Sequence, residues 1–510
     1  MTTDYDILII GGGVNGAGIA RDAAGRGMSV LLVEAQDLAS ATSSASTKLI
    51  HGGLRYLEYF EFRLVREALM EREVLLGMAP HIIWPLDFVL PYFPSLRPAW
   101  MIRLGLYLYD HLGGLKKLKH SAALNLTTDS FGAPLQDRYK KGFRYADCWV
   151  QDSRLVVLNA VDAEELGAHI STRTACTGLR MVDGHWEAEL RDVDTNEVLT
   201  RTAGMVVNAA GPWVHSVLAG NALTAPKTPQ IRLVKGSHII VKKVFDGEQA
   251  YILQQPDRRI VFAIPYEGDF TLIGTTDVDY TGDPAKPEIS DAEKQYLCDA
   301  VNRYFKTAVD VTQIVHTYSG VRPLMDDGRG KASEVTRDYH LELELSFGAP
   351  LLSVFGGKIT TYRRLAEEAV NRLVPYWARA NENPASQMPW SDTVPLPGGD
   401  ILDRDYDAFL KEQVERYFWL PEKTVRRYAR AYGTRMDRML EGAENLNSLG
   451  RHFGDDVYQV EIDYMIRKEW AKTVDDILWR RSKLGLHIAE GTKMQLNDYM
   501  SRLGKERLAS

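Results

Sequence analysis

Cysteine is scarce in this sequence. Its 510 residues include only Cys148, Cys176 and Cys298, which lie far apart and form no Cys-x-x-Cys pair. A disulfide framework needs an even set of cysteines, and cysteine-ligated zinc or iron–sulfur sites usually use such pairs. HExxH and DxDxDG patterns are absent as well. The sequence therefore predicts no metal centre and no disulfides, which is typical of a reducing, cytoplasmic compartment.

Long apolar runs and a surplus of positive charge are also missing. A membrane-spanning helix needs about 20 mostly apolar residues, and the sequence contains no such run. Its first residues lack the basic region and cleavage site of a signal peptide. Lys and Arg total 61 against 68 Asp and Glu, a net charge of −7, whereas bulk nucleic-acid binding needs a basic surplus. We therefore expect no transmembrane helix and no nucleic-acid partner.

A glycine-rich turn near the start has the pattern of a dinucleotide site. The apolar run at 5–10 leads into Gly11, Gly13 and Gly16, in the order G-x-G-x-x-G, and a helical pattern follows. Such a turn lets the backbone approach a pyrophosphate at a helix N-terminus. A second apolar run ends at Glu34, with no arginine immediately after it. A carboxylate there binds an adenosine ribose, so the pattern predicts a βαβ unit for NAD or FAD.

Three features favour FAD over NAD. The motif lies at the very beginning of the sequence, which leaves no room for a preceding catalytic domain. Residues 42–53 follow the second strand as a small, hydroxyl-rich loop suited to lie beneath an isoalloxazine ring. Residues 207–213 are a strand that leads into small residues. From these segments we expect the cofactor to contact Thr42, Ser43, Ser44, Lys48, His51 and Gly211.

The remaining pattern predicts an α/β protein with a separate helical domain. Residues 62–78 have the periodicity of an amphipathic helix, and short strands alternate with turns from about 150 to 390. Residues 391–400 contain two prolines and two glycines and indicate a linker. We expect an oxidoreductase region in 1–390, followed by an all-helical domain in 401–510. Within 1–390, a Rossmann-like FAD-binding core is interleaved with a mixed-sheet substrate domain, mainly in about 80–140 and 220–335.

Several stretches resemble the FAD-dependent, quinone-linked glycerol-3-phosphate dehydrogenase family. They are IIGGGVNGAGIARDAAGRG, ATSSASTKLIHGGLRYLE, NAAGPW, RLVKGSHIIV, IGTTDVDY, YSGVRPL, VFGGKITTYRRLAE and, in the tail, DDILWRRSKLGL. Together they extend over nearly the whole chain. The resemblance implies that FAD is the cofactor, that sn-glycerol 3-phosphate is oxidised to dihydroxyacetone phosphate, and that a membrane quinone accepts the electrons.

The resemblance also implies a substrate pocket rich in cations. Arginine presents a planar fork that suits phosphate, whereas lysine acts as a point charge. The family places six residues at or near the substrate: Arg55, Tyr56, Thr275, Arg322, Arg337 and Lys358.

Hydride transfer from a secondary alcohol to a flavin needs a group that takes the hydroxyl proton and positive charge near the flavin N1–C2=O edge. Gly357 and Lys358 precede a predicted helix that starts at about Thr360, so the helix N-terminus and Lys358 supply that charge. We expect Gly357 and Thr360 at the cofactor. His51 is the candidate base because imidazole titrates near neutral pH. Two alternatives remain: His51 only contacts the flavin, or Arg322 holds the reacting oxygen.

One apolar segment bears on where the protein acts. Residues 97–112 are almost entirely apolar and aromatic, and Lys116, Lys117, Lys119 and His120 follow. Such a segment is too short to span a bilayer but fits a helix lying in its interface, and a buried core helix is the alternative. With the family resemblance, we expect peripheral association with the cytoplasmic face of the inner membrane, and a homodimer.

Two other functions remain open at this point. The same fold acting as an oxidase passes electrons to oxygen, with hydrogen peroxide as the product. A flavin-carrying scaffold would use the helical tail as its functional part. Reduction of the flavin by substrate without oxygen separates an enzyme from a scaffold, and the choice of acceptor then separates the two enzymes.

Overall fold

A computed structural model describes residues 3–93, 98–113, 118–223, 229–325, 338–380, 382 and 387–509, apart from the side chains of residues 55, 59 and 505–509. The strands of this part of the chain are β1 (Tyr5–Ile10), β2 (Val30–Glu34), β3 (Leu49–Ile50), β4 (Ile83–Tyr92), β5 (Ala122–Asn125), β6 (Lys141–Val150), β7 (His169–Thr172), β8 (Thr174–Val182), β9 (His185–Asp192), β10 (Val198–Asn208), β11 (Ile231–Lys242), β12 (Ala250–Gln254), β13 (Ile260–Tyr266), β14 (Phe270–Gly274), β15 (Val278–Asp279), β16 (Ile314–Met325), β17 (Tyr339–Glu344), β18 (Leu351–Gly356), β19 (His452–Gly454) and β20 (Val457–Tyr458).

The helices connect and cover these strands. They are α1 (Val14–Gly25), α2 (Phe62–Met78), α3 (Ala99–Leu112), α4 (Asp152–Glu165), α5 (Val214–Gly220), α6 (Asp291–Asn302), α7 (Tyr362–Leu373), α8 (Tyr406–Arg416), α9 (Glu422–Tyr432), α10 (Met436–Met439), α11 (Gln459–Lys468) and α12 (Glu490–Ala509), with a π-helix at Asp476–Arg481. The helix predicted at 62–78 is confirmed as α2.

The first sheet has the strand order β17-β18-β10-β1-β2-β7, and the hairpin β8–β9 pairs with β10. Strands β1, β2, β7, β10 and β18 are parallel. Alternate residues of β1 are buried on opposite faces: Ile7 and Ile9 pack with α1, α4 and α7, whereas Leu8 and Ile10 pack with α5 and β9. Because the strands are parallel, their carboxyl ends meet at one edge of the sheet. This sheet is the predicted Rossmann-like core.

The second sheet is mixed and lies beside the first. Its order is β15-β11-β14-β13-β12-β4-β6-β3, with β16 paired to β11 and β5 paired to β6. Helix α6 packs on one face, and α2 and α3 pack on the other. Strand β16 ends near the carboxyl edge of the first sheet, so residues of the second sheet reach the same cavity as the glycine turn.

The C-terminal region forms its own core, which includes Tyr428, Tyr432, Phe453 and Ile462. It is helical as predicted, with one exception: β19 and β20 form a short hairpin. The reason is local, since Asp455 and Asp456 both have positive φ angles. That backbone conformation is the one that a tight hairpin turn requires.

The predicted linker is fixed to the rest of the chain. Ser391 and Leu396 are buried, and the Leu396 N–H donates to the Met78 carbonyl at 3.0 Å. Two fully buried ion pairs also join the C-terminal region to the core, Arg154–Glu469 at 2.6 Å and Arg481–Asp37 at 2.6 Å. The helical domain is therefore packed firmly onto the cofactor core.

The apolar segment near residue 100 forms α3, which is buried on one side and exposed on the other. Leu106 and Tyr109 are buried in the core. On the other side, Trp100, Leu104 and Tyr107 are 66%, 50% and 53% exposed. In the described part of the chain, no helix is both long and apolar enough to cross a membrane.

Candidate cofactor and substrate site

A cavity of about 490 Å³ lies at the carboxyl edge of the first sheet. The turns after β1, β2, β10 and β18 line it, together with the loop 39–47 and the end of β16. Small residues dominate these turns, so the backbone itself forms much of the wall. The cavity therefore begins at the predicted dinucleotide motif and ends among polar side chains of the second sheet.

The glycines of the motif are required by close packing. Gly11 has a φ of 112°, and a Cβ there would lie 2.6 Å from the Ala209 carbonyl oxygen. A Cβ on Gly16 would lie 1.9 Å from the Gly11 carbonyl oxygen. Gly13 immediately precedes α1, whose N-terminal N–H groups favour an anion. The turn thus brings the backbone and the helix N-terminus together, as binding of a pyrophosphate requires.

Glu34 lies at the end of β2, on the wall of the same cavity. Its carboxylate accepts hydrogen bonds from the N–H groups of Gly12, at 2.7 Å, and Gln36, at 2.8 Å. Burial raises the pKa of Glu34 above its ordinary value, although these two N–H groups act in the opposite direction. Each carboxylate oxygen can accept one more bond, as from a ribose hydroxyl.

The residues of the hydroxyl-rich loop face two different cavities. Thr42 and Ser43 line the cavity; the Thr42 hydroxyl donates to the Val321 carbonyl at 2.6 Å, and the Ser43 hydroxyl accepts from the Val14 N–H at 3.0 Å. Ser44 and Lys48 instead face a second cavity behind the loop. The Lys48 ammonium is held there by Asp152 at 2.9 Å, so the structure does not bring these two residues to the cofactor cavity.

The second glycine turn follows β18. Gly356 and Gly357 have φ angles of 72° and 99°, which favour glycine over other residues. Gly357 and Lys358 line the cavity, as does Gly211 in the turn after β10. The predicted helix starts with a tight turn at Ile359–Thr361 and continues as α7. Thr360 is buried behind His51, and its hydroxyl accepts from the His51 N–H at 3.2 Å.

The predicted substrate residues lie in two pairs. Arg322 lies in β16 and Thr275 directly follows β14, the two strands that pair with β11. Arg322 Nη2 lies 3.4 Å from Thr275 Oγ1. The Lys358 ammonium lies 3.9 Å from the centre of the Tyr56 ring, a distance suited to a cation–π contact. Of the other two predicted residues, Arg55 lies in the turn Leu54–Tyr59 and its side chain is outside the described atoms, and Arg337 is outside the described residues.

The three predicted catalytic residues, His51, Arg322 and Lys358, line one cavity. The sequence-based prediction did not include Asp277, which holds Arg322 Nη1 at 2.5 Å. Asp277 stands two residues after Thr275 in the stretch IGTTDVDY, so its position in that motif was the available signal. An imidazole and two cations around one space are suited to bind an anionic alcohol and to take up its hydroxyl proton.

The residues present fit FAD. The glycine turn provides the close backbone approach, and Glu34 can accept from a ribose. The buried Asn15 side-chain oxygen, beside the second glycine turn, has no hydrogen-bond partner among the described residues. An unpaired buried acceptor is costly unless a ligand or water donates to it, and Asn15 is one of the residues that line the cavity.

Comparison with known proteins agrees with this geometry. Residues 6–363 match the family described as FAD dependent oxidoreductase, and residues 390–506 match the C-terminal domain of alpha-glycerophosphate oxidase. The two matches leave few residues of the chain outside them.

Individual relatives extend over nearly the whole chain. A D-erythritol 1-phosphate dehydrogenase of Brucella abortus is 53% identical over 488 residues, covering 96% of each chain. A glycerol-3-phosphate dehydrogenase of Pseudomonas aeruginosa is 53% identical, covering 97% of this chain and 95% of its own. The solved structure of the Bacillus halodurans glycerol-3-phosphate dehydrogenase with FAD is 26% identical, with a TM-score of 0.75 over 98% of this chain and 90% of that chain. The chain therefore belongs to the FAD-dependent glycerol-3-phosphate dehydrogenase family.

Proposed function

We propose that this protein oxidises sn-glycerol 3-phosphate to dihydroxyacetone phosphate by hydride transfer to flavin N5, and that a membrane quinone then accepts the electrons. The observation that carries the proposal is the convergence of His51, Arg322 and Lys358 on the cavity that contains the dinucleotide turn. Dehydrogenases of this substrate among the close relatives support the choice of alcohol.

Each side chain has a distinct task in this reaction. FAD, when bound along the cavity, supplies the hydride acceptor. Arg322 and Lys358 bind the substrate anion and place the C2 hydrogen toward the cofactor, because both cations line the same space. His51 takes the proton from the C2 hydroxyl oxygen as the hydride leaves. Lys358 and the N-terminal turn of the following helix also stabilise negative charge at the cofactor ring.

Asp277 and Thr275 support this arrangement from behind Arg322. The carboxylate of Asp277 holds Nη1, and the Thr275 hydroxyl lies near Nη2. A guanidinium fixed at two points loses less side-chain freedom when it binds a phosphate. Substrate affinity therefore depends on this support as well as on the charge itself.

The test is anaerobic mixing of FAD-loaded protein with substrate in a stopped-flow spectrophotometer. Glycerol 3-phosphate should bleach the flavin, whereas glycerol, which lacks the phosphate, should do so far more slowly. A flavin that stays oxidised with both compounds would contradict the dehydrogenase and support the scaffold alternative.

The same experiment identifies the electron acceptor of the reduced protein. We propose a quinone, so the reduced protein should be reoxidised rapidly by a water-soluble quinone and slowly by oxygen. Rapid reoxidation by oxygen, with stoichiometric hydrogen peroxide, would favour the oxidase alternative, which the resemblance of the C-terminal region to an alpha-glycerophosphate oxidase keeps open.

The exposed face of α3 supports the proposal that the protein binds to a membrane surface. Trp100, Leu104 and Tyr107 project from one side of the helix, and the exposed Lys119 and His120 follow it. Aromatic and apolar side chains next to basic ones favour the interface of an anionic bilayer. We propose peripheral binding to the cytoplasmic face of the inner membrane.

We also propose that the protein is a homodimer. Light scattering with and without detergent measures its mass and tests this proposal.

A second substrate deserves a direct comparison, because a relative at 53% identity is a D-erythritol 1-phosphate dehydrogenase. Both compounds are phosphorylated polyols, so the same cations would bind either of them. The measurement is kcat/KM for each compound under identical conditions. A higher value for D-erythritol 1-phosphate would replace the proposed substrate and leave the reaction type unchanged.

A further inference from the structure

A second cavity, of about 290 Å³, lies behind the loop that contains Thr42 and Ala45. Those two residues and Gly320 line both cavities, so the second one lies on the opposite side of the same wall. Its outer side is formed by the C-terminal domain, through Trp479 and Lys483. It belongs to neither the glycine turns nor the substrate pocket.

Two lysines line this cavity, and their surroundings differ. Lys48 donates to both carboxylate oxygens of Asp152, at 3.0 and 2.9 Å, and to the Ser44 carbonyl. Lys483 donates to the Ser153 hydroxyl at 3.2 Å and to the Trp479 carbonyl, its two hydrogen-bond partners among the described residues. One lysine thus has a carboxylate as partner, and the other has neutral oxygens.

The charges around Lys483 come from several elements. Lys48 and Arg480 disfavour its protonation, whereas Asp152 and Glu267 favour it, and burial has the largest effect. Together they lower the pKa of Lys483 from 10.5 to about 7. His316 and Asp475 also line the cavity.

Two stacked aromatic rings form part of the remaining wall. The His316 ring stacks on the Trp479 ring with centroids 4.1 Å apart and planes 11° from parallel. The same Trp479 provides the carbonyl that holds Lys483. An amine kept desolvated, and placed beside another cation, is the arrangement that activates a lysine as a nucleophile.

We propose that Lys483 is a nucleophilic amine that forms an imine with small aldehydes or ketones entering this cavity. In this step the lysine nitrogen attacks the carbonyl carbon, the carbonyl oxygen takes up the protons of the amine, and one water leaves as the C=N bond forms. No oxidant or reductant is consumed. Only molecules small enough for the cavity reach the amine.

The experiment labels the FAD-loaded full-length protein with limiting glycolaldehyde and sodium cyanoborohydride, which reduces the imine to a stable secondary amine. Peptide mass spectrometry then gives a rate for each lysine. At pH 7 an amine of pKa about 7 is half neutral, whereas an ordinary lysine of pKa about 10.4 is neutral in roughly one molecule in 2,500. Lower basicity reduces the intrinsic nucleophilicity, so we expect Lys483 to react at least about tenfold faster than the exposed Lys468.

Three comparisons make the result specific. The rate at Lys483 should rise with pH and level off above about pH 7, while Lys48, beside its carboxylate, should stay largely unlabelled. A dextran-linked aldehyde should label Lys468 and not Lys483, because it does not fit the cavity. In Lys483→Arg the labelling of Lys468 should be unchanged. A Lys483 that reacts no faster than Lys468, or that reacts equally with the dextran reagent, would overturn the proposal.

Discussion

Replacing Arg322 with lysine tests the substrate pocket most directly. The change keeps the positive charge but removes the planar fork, whose Nη1 is held by Asp277 at 2.5 Å and whose Nη2 lies 3.4 Å from Thr275. A lysine ammonium at this position cannot keep both contacts and also present a second parallel N–H to a phosphate. We therefore expect the loss of one charge-assisted hydrogen bond to the substrate.

Such a bond contributes about 1.5–3 kcal/mol, which corresponds to a decrease of roughly 10- to 150-fold in kcat/KM. The assay is steady-state turnover of glycerol 3-phosphate with an artificial acceptor, together with the same measurement for glycerol. Turnover of glycerol should change little, because glycerol has no phosphate for residue 322 to bind. The ratio of the two efficiencies therefore falls in Arg322→Lys.

Two further variants show whether the decrease in kcat/KM comes from the lost contact between Arg322 and the phosphate. Arg426→Lys makes the same chemical change in an exposed ion pair of the C-terminal domain, with Glu422, and should leave kcat/KM unaltered. Asp277→Asn keeps Arg322 but weakens its support, and should raise KM more than it lowers kcat. An unchanged efficiency ratio in Arg322→Lys, with FAD content intact, would refute the assignment of the phosphate site to this residue.

Three other predictions follow from the same structure. Glu34→Ala removes the carboxylate at the adenosine end and should weaken FAD binding about 10- to 150-fold, measured by flavin fluorescence on titration; unchanged affinity would contradict the ribose assignment. Replacing the exposed α3 residues Trp100, Leu104 and Tyr107 with serine should reduce binding to anionic vesicles in a flotation assay without lowering the melting temperature. Unchanged binding would exclude this face of α3 as the attachment site. Arg154→Met removes the ion-pair partner of the buried Glu469 carboxylate, so the FAD-loaded protein should lose about 3–5 kcal/mol of stability, which a thermal-shift assay detects; a melting temperature equal to that of the parent would show that this contact with the C-terminal domain does not support the core.

The sequence by itself determined the features that depend on local spacing. The strand–glycine–helix order around Gly11 and the acidic end of β2 at Glu34 are separated by few residues, and their packing requirements are visible in residue type alone. The amphipathic period of 62–78 and the helical tail were predicted for the same reason, because a repeat of about 3.6 residues is a local property.

Only the tertiary structure decided which distant residues meet. The His51 N–H and the Thr360 hydroxyl are 309 positions apart in the chain, and Tyr56 and Lys358 come from equally distant segments. Their contact depends on how the second sheet and the turn after β18 reach the carboxyl edge of the first sheet. No periodicity in the sequence records that arrangement.

The directions of loop side chains were also beyond the sequence. Ser44 and Lys48 stand in the hydroxyl-rich loop, yet they face the second cavity, because a buried carboxylate at Asp152 fixes the ammonium there. In an irregular segment no fixed period relates one side chain to the next, and burial of an ion pair decides which way each points. Helix α3 is a second case in which the sequence did not predict which side chains are buried. Its apolar residues form a buried face with Leu106 and an exposed face with Trp100. Composition records that a segment is apolar, and only packing against the second sheet decides which side of it is covered.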